Sequence, residues 1–134
     1  MSSADIKANR PLSPHIQIYH WYLTMIMSIV HRMTGGALYF GTLLLAWWLV
    51  AAAAGPEPFA LANRVLGSWL GLLVLFGYSW ALIHHMLGGL RHFVWDFGYA
   101  LGKPARDRIA LANLVGSIVL TVALWAIGIW LRSV

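Results

Sequence analysis

The chain contains no cysteine, and only four of its 134 residues are acidic. The first absence excludes disulfides and any thiolate-held metal or cluster on this chain. Charge of either sign is scarce, at 10% of residues, whereas 60% are hydrophobic and the mean hydropathy is +0.73. These values lie outside the range of soluble domains and describe an integral membrane protein. Internal repeats are absent, and the one low-complexity tract is the short alanine run Ala51 to Ala54.

Three stretches lack Asp, Glu, Lys and Arg for long enough to cross roughly 30 Å of hydrocarbon as a helix. They are Met33 to Pro56, Val65 to Leu90 and Ile109 to Leu131, and there is no fourth. So little chain remains outside them that any soluble chemistry must come from a partner. The expectation is an all-α membrane protein, one membrane-anchor domain over residues 1–134, with helices over about 25–53, 65–96 and 107–132. Gly55-Pro56-Glu57-Pro58 is expected to end the first helix, and Gly98, Gly102 and Pro104 the second. Ahead of them, Ser13 before Pro14 reads as a helix cap, and His15 to Tyr22 as a short interfacial segment whose Tyr19, Trp21 and Tyr22 fit an aromatic belt. Met1 to Pro14 is polar and lacks the apolar core of a signal peptide, so the start is expected to be retained. Cleavage after the alanine run is the minor alternative.

The basic residues set the orientation. Lys7 and Arg10 precede the first span, Arg32 lies near its entrance, and Lys103, Arg106 and Arg108 follow the second. The first loop offers Arg64 against Glu57, and the tail Arg132. By the positive-inside rule the N-terminus and second loop face the cytoplasm or matrix, and the C-terminus faces out. A net charge of +5 invites a nucleic-acid reading, but charges that flank apolar spans point to anionic lipid headgroups instead.

Small residues four apart recur in every span, as Ala37 with Gly41, Gly67 with Gly71, and Ala112 with Gly116. Such pairs let membrane helices approach closely. The third span has no ionisable group in its apolar stretch, and its expected role is packing.

The chemistry collects in the run His84-His85-Met86-Leu87-Gly88-Gly89-Leu90-Arg91-His92-Phe93-Val94-Trp95-Asp96. Ionisable side chains at membrane depth are costly and mark function. A spacing of seven is almost two helical turns, so His85 and His92 share a face, with Gly89 between them where a flat ligand could lie against bare backbone. That pattern points to a haem with neutral imidazole as an axial ligand. The first helix climbs away from the cytoplasm and the second returns, so Ser28, His31 and Arg32 come level with this run. Such a cluster could hold haem propionates and leave a polar niche for a quinone carbonyl.

Plainer readings compete. His15 and His20 read as interfacial residues, and His84 is balanced between a supporting role and none. Arg32 and Arg91 could snorkel to the interface, Ser28 could bond to its own helix, and Asp96 reads as structural. Trp47, Trp48, Trp69, Trp125 and Trp130 read as lipid-facing or belt residues.

Three motifs in order resemble one family. They are Arg10-Pro11-Leu12-Ser13-Pro14-His15 through Ile18-Tyr19, Ser28-Ile29-Val30-His31-Arg32-Met33-Thr34-Gly35, and His85-x3-Gly89-x-Arg91-His92-x2-Trp95-Asp96. Together they closely resemble the cytochrome b556 subunits of succinate dehydrogenase, the larger membrane anchors of respiratory complex II. The resemblance implies that His85 is one axial ligand of a b-type haem whose other ligand comes from a second, small anchor subunit. It implies that Ser28 and Arg32 line a ubiquinone site, that Trp21, Met25 and Ile29 fall near its entrance, and that His31, Arg32 and His92 lie near the propionates. It further implies flavoprotein and iron-sulfur partner subunits that deliver electrons from succinate. Thr24 departs from the pattern, since mitochondrial relatives tend to carry proline there. A bacterial inner membrane is expected because no transit peptide precedes the motifs. Two rival classes are a cofactor-free structural anchor and a proton-conducting transporter subunit. The second needs ionisable groups along a path across the bilayer, whereas here they gather at one side.

Overall fold

A computed structural model describes residues 18–134. The Ser13 cap, the first motif as far as residue 17 and the start of the interfacial segment lie outside these residues. Four helices follow in order: α1 (Leu23–Ala54), α2 (Pro56–Leu66), α3 (Trp69–Asp96) and α4 (Lys103–Ser133). No strand occurs among the described residues. Three of the helices, α1, α3 and α4, are long and apolar enough to span a membrane. The protein is all-α and multi-pass.

Helix α1 stops where the sequence predicts, at Gly55, whose φ of 121° is a conformation that side chains disfavour. The chain then does not enter a loop. Pro56 and Pro58 fall in the first turn of α2, where a missing N–H breaks no helical bond. Val65 and Leu66 therefore belong to α2 and not to the second span. That span begins at Trp69, after Ser68 caps it by accepting from the Gly71 amide at 3.1 Å. Gly67 sits in the intervening turn, so Gly67 and Gly71 are not a helix-packing pair. Likewise Pro104 opens α4 and terminates nothing, which starts that helix at Lys103, ahead of the expected Asp107.

Burial follows the logic of a lipid solvent. Hydrocarbon is as apolar as leucine, so large apolar side chains gain little from facing inward, while small and polar ones gain contact and hydrogen bonds. The buried residues are accordingly Met27, Ala51, Ala62, Ala81 and Ala110 with Thr34, His84, Arg91, Asn113, Ser117 and Thr121. Leucine, valine and isoleucine cover the outside. Two tryptophans expected at the lipid face also turn inward. Trp48 donates to Asn63 Oδ1 on α2 at 3.0 Å, and Trp125 on α4 donates to Ser79 Oγ on α3 at 3.2 Å. Trp47, Trp69 and Trp130 are exposed.

Antiparallel α1 and α3 meet first at Gly41, against which the Tyr78 ring lies; a Cβ at Gly41 would overlap that ring. Replacing Gly41 by Leu is expected to destabilise the assembled protein by about 1–3 kcal/mol through overpacking. Gly77→Ala should be near neutral, because a Cβ there meets nothing within 4 Å. Thermal unfolding of both variants in detergent checks the contrast, and equal stability would remove Gly41 from the helix contact.

Candidate functional site

The second α1–α3 contact lies toward the other end, and histidines make it. His85 Nδ1–H donates to the backbone carbonyl of His31 at 3.1 Å, while His31 Nε2–H donates to the carbonyl of His85 at 3.2 Å. Each ring thus holds the other's helix, and the two rings stack at 4.0 Å with planes 10° apart. Thr34 Oγ1 donates to the His31 carbonyl at 2.9 Å and lies 3.3 Å from His85 Nδ1. Since a carbonyl only accepts, His85 Nδ1 must carry a proton. Nε2 of the neutral ring then carries a lone pair, and it has no hydrogen-bond partner among the described residues.

Two glycines make the stack possible. A Cβ at Gly88 would collide with the His31 ring, and one at Gly35 would lie 3.0 Å from His85 Cε1. Gly89, singled out in the sequence, meets nothing within 4 Å and borders open space. His92 completes a row, its ring 5.6 Å from His31 and edge-on to Trp95 at 5.2 Å. His31 and His85 are half-buried, and His92 is exposed.

Around this row the other candidates separate. Ser28 is half-buried and makes no bond to its own helix, unlike Thr34, Thr42, Ser79, Ser117 and Thr121, which donate to carbonyls three or four residues back. Its hydroxyl has no hydrogen-bond partner among the described residues. Ile29 and Arg32 are exposed on the same helix, deeper than its start at Leu23, and Met25 Sδ accepts from the Tyr19 hydroxyl at 3.3 Å. Trp21 is exposed and packs edge-on against Tyr19 at 5.7 Å. The start of α4 joins this end, with Lys103 Nζ 5.6 Å from the Tyr22 ring centre.

Arg91 does not snorkel. It is 4% exposed, its guanidinium lies 5.0 Å from the Trp95 ring centre, and Nε and Nη1 have no partner among the described residues. It is buried in the bundle, whereas Arg32 is exposed. His84 also turns inward, on the α4 side. Ser117 Oγ gives its proton to the Leu114 carbonyl, so it accepts from His84 Nδ1–H at 3.1 Å, while the Asn113 amide lies 3.3 Å from the same nitrogen. The adjacent histidines therefore serve different interfaces. Reading the third span as packing missed this polar seam, although Asn113, Ser117 and Thr121 recur every four residues, a visible sign of one polar face.

Among the described residues no cluster of three or more His, Cys, Asp or Glu is placed to hold a bare metal ion. A single imidazole can still ligate an iron that a macrocycle already holds.

Comparison with known proteins shows the family. Residues 6–124 match the family described as succinate dehydrogenase/fumarate reductase transmembrane subunit. The chain belongs to this family. Among its relatives, the succinate dehydrogenase cytochrome b556 subunit of Paracoccus denitrificans is 48% identical over 120 residues, covering 89% of this chain and 92% of that protein. The b556 subunit of Rickettsia prowazekii is 38% identical over 121 residues, 90% of this chain and 94% of that one. The human mitochondrial cytochrome b560 subunit is 36% identical over 124 residues, 91% of this chain and 73% of that one. Family membership covers all four helices, with the end of α4 beyond the match.

The His84–Ser117 bond yields a prediction for this fold. In a double-mutant cycle between His84→Phe and Ser117→Ala, the coupling is expected at about 0.6–1.7 kcal/mol, as for other interhelical bonds in membranes. Zero coupling in thermal unfolding would show that the two side chains do not meet.

Proposed function

We propose that this chain is the large membrane anchor of a succinate dehydrogenase, sharing a b-type haem with a second anchor subunit and forming part of a ubiquinone-reduction site. The observation that carries the reading is the state of His85. Its Nδ1 proton is engaged by the His31 carbonyl at 3.1 Å, the arrangement that orients a metal-bound imidazole and raises its basicity. Its Nε2 lone pair is unengaged, and Gly89 one turn on leaves room for a flat macrocycle. These residues fit a haem. The relatives' name, cytochrome b556, supports the same cofactor.

In this reading His85 Nε2 would hold the haem iron together with a residue of the small anchor subunit. His31, Arg32 and His92 would hold the haem propionates. The haem, when bound, supplies a one-electron carrier beside the quinone. Ser28 and Arg32 border the quinone headgroup, with Trp21, Met25 and Ile29 toward its entrance. Reduction takes two electrons and two protons, and negative charge develops on the quinone oxygens before each proton arrives. A hydroxyl and a guanidinium that donate there stabilise that charge as an oxyanion site does. Electrons reach this end from succinate through the flavoprotein and iron-sulfur partners, which the chain tethers. The positive-inside rule supports placing the site at the cytoplasmic face of a bacterial inner membrane.

The rivals make different demands. A proton-conducting subunit needs ionisable groups across the whole bundle, and between the histidine end and Arg132 the interior offers only uncharged polar residues. A cofactor-free anchor needs no lone pair at His85 and no available hydroxyl at Ser28.

Two predictions separate these readings. In the assembled complex His85→Ala is expected to abolish or severely perturb the reduced b-type absorption, while His84→Gln retains it. The reverse result would rotate the haem face by about 100° around α3. Ser28→Ala is expected to depress succinate-dependent quinone reduction with assembly and reduction of an artificial soluble acceptor intact. Arg32→Ala should cost more, because a charged donor is worth more than a neutral hydroxyl. Normal quinone reduction in both variants would reduce the chain to a tether.

A further inference from the structure

The end of the bundle opposite the histidines holds a cavity of about 530 Å³, inside the range of roughly 300–1,000 Å³ for small-molecule sites. It lies beyond the Gly41–Tyr78 contact and is lined by α1, α2, α3 and Arg132 of α4. α2 is held there on its inner face, where Ala62 is fully buried and Phe59 packs on Trp48 at 5.5 Å. Leu44, Leu45, Leu72 and Leu75 are among the apolar walls. Arg132, near the end of α4, is the one charged residue in the lining, and no carboxylate balances it. Asn63 lies at the α2 side with its oxygen engaged by Trp48, which leaves its amide N–H groups as donors.

We propose that this cavity binds an anionic glycerophospholipid, with one acyl chain between α1 and α3 and the phosphate on the Arg132 guanidinium, assisted by the Asn63 amide. The walls of a cavity between membrane-spanning helices meet hydrocarbon more readily than water, and these walls offer a chain nothing but dispersion contacts. Specificity has to come from the rim. There the lining presents amide donors and one exposed guanidinium at the depth where helices end, groups that complement a phosphate. The phosphate neutralises Arg132, and α2 closes over the chain. This lipid would be a structural part of the fold at the face away from the histidines. The inference does not rest on the haem or quinone reading.

The test uses the assembled complex in phosphatidylcholine vesicles doped with phosphatidylglycerol that carries a diazirine in its acyl chain. Irradiation is expected to label α1 around Leu44–Trp48 and α3 around Leu72–Leu75. Unlabelled phosphatidylglycerol should suppress the labelling, phosphatidylcholine should do so roughly fivefold less well for the one cationic contact, and inorganic phosphate should have no effect. Arg132→Gln is expected to bring the two lipids level, and Leu75→Trp, which fills the cavity, to remove the labelling. The headgroup preference in the unmodified complex decides the matter even if a variant fails to assemble. Absent labelling, as when a partner side chain occupies the space, would overturn the proposal. So would displacement by a quinone analogue but not by phosphatidylglycerol, or labelling indifferent to headgroup and Arg132.

Discussion

The reciprocal bonds between His31 and His85 fix more of this molecule than any other contact. Each imidazole donates to the backbone carbonyl of the opposite helix, so the pair sets the register of α1 against α3 and the tautomer of both rings together. In hydrocarbon, where no water competes, a polar side chain without a partner is expensive. The stack therefore consumes the one nitrogen of His85 that faces protein and leaves the other for a ligand. Gly35 and Gly88 are needed for the same reason, since a side chain at Gly88 would occupy the ring's place and one at Gly35 would press on its edge.

Around this contact the bundle divides its polar residues by interface. Those facing α1 from α3 belong to the histidine row and to an open side bordered by Gly89. Those facing α4 include His84, buried with Asn113 and Ser117, and Ser79, which accepts from Trp125. One step along α3 turns a side chain by about 100°, which is enough to move His84 from the side that meets His31 to the seam with α4. The division gives the neighbouring histidines distinct tasks: one joins α3 to α4, and the other is held by α1 and presented outward.

Much of this was legible in the sequence because membrane spans are written in long charge-free runs, and the seven-residue spacing of His85 and His92 survives any small error in helix ends. The missing parts share a cause. α2 was hidden by Pro56 and Pro58, residues that break a helix interior but open a helix, and the same ambiguity displaced the start of α4 at Pro104. The inward turn of Trp48, Trp125 and Arg91 was hidden because composition tells that a residue is amphipathic and not which neighbour satisfies it. Gly88 and Gly89 are alike as letters. Only the position of α1 shows that the first receives a histidine ring and the second faces open space.

The central claim is that His85 presents Nε2 to a haem iron while His31 holds Nδ1. A density map of the assembled complex at a resolution that separates ring nitrogens from carbons tests it most directly. The account predicts iron bonded to His85 Nε2, a second nitrogen from the small anchor subunit, and His85 Nδ1 still at hydrogen-bond distance from the His31 carbonyl. Iron bonded to His84 or His31, or a His85 ring turned so that Nδ1 leaves the His31 carbonyl, would contradict it.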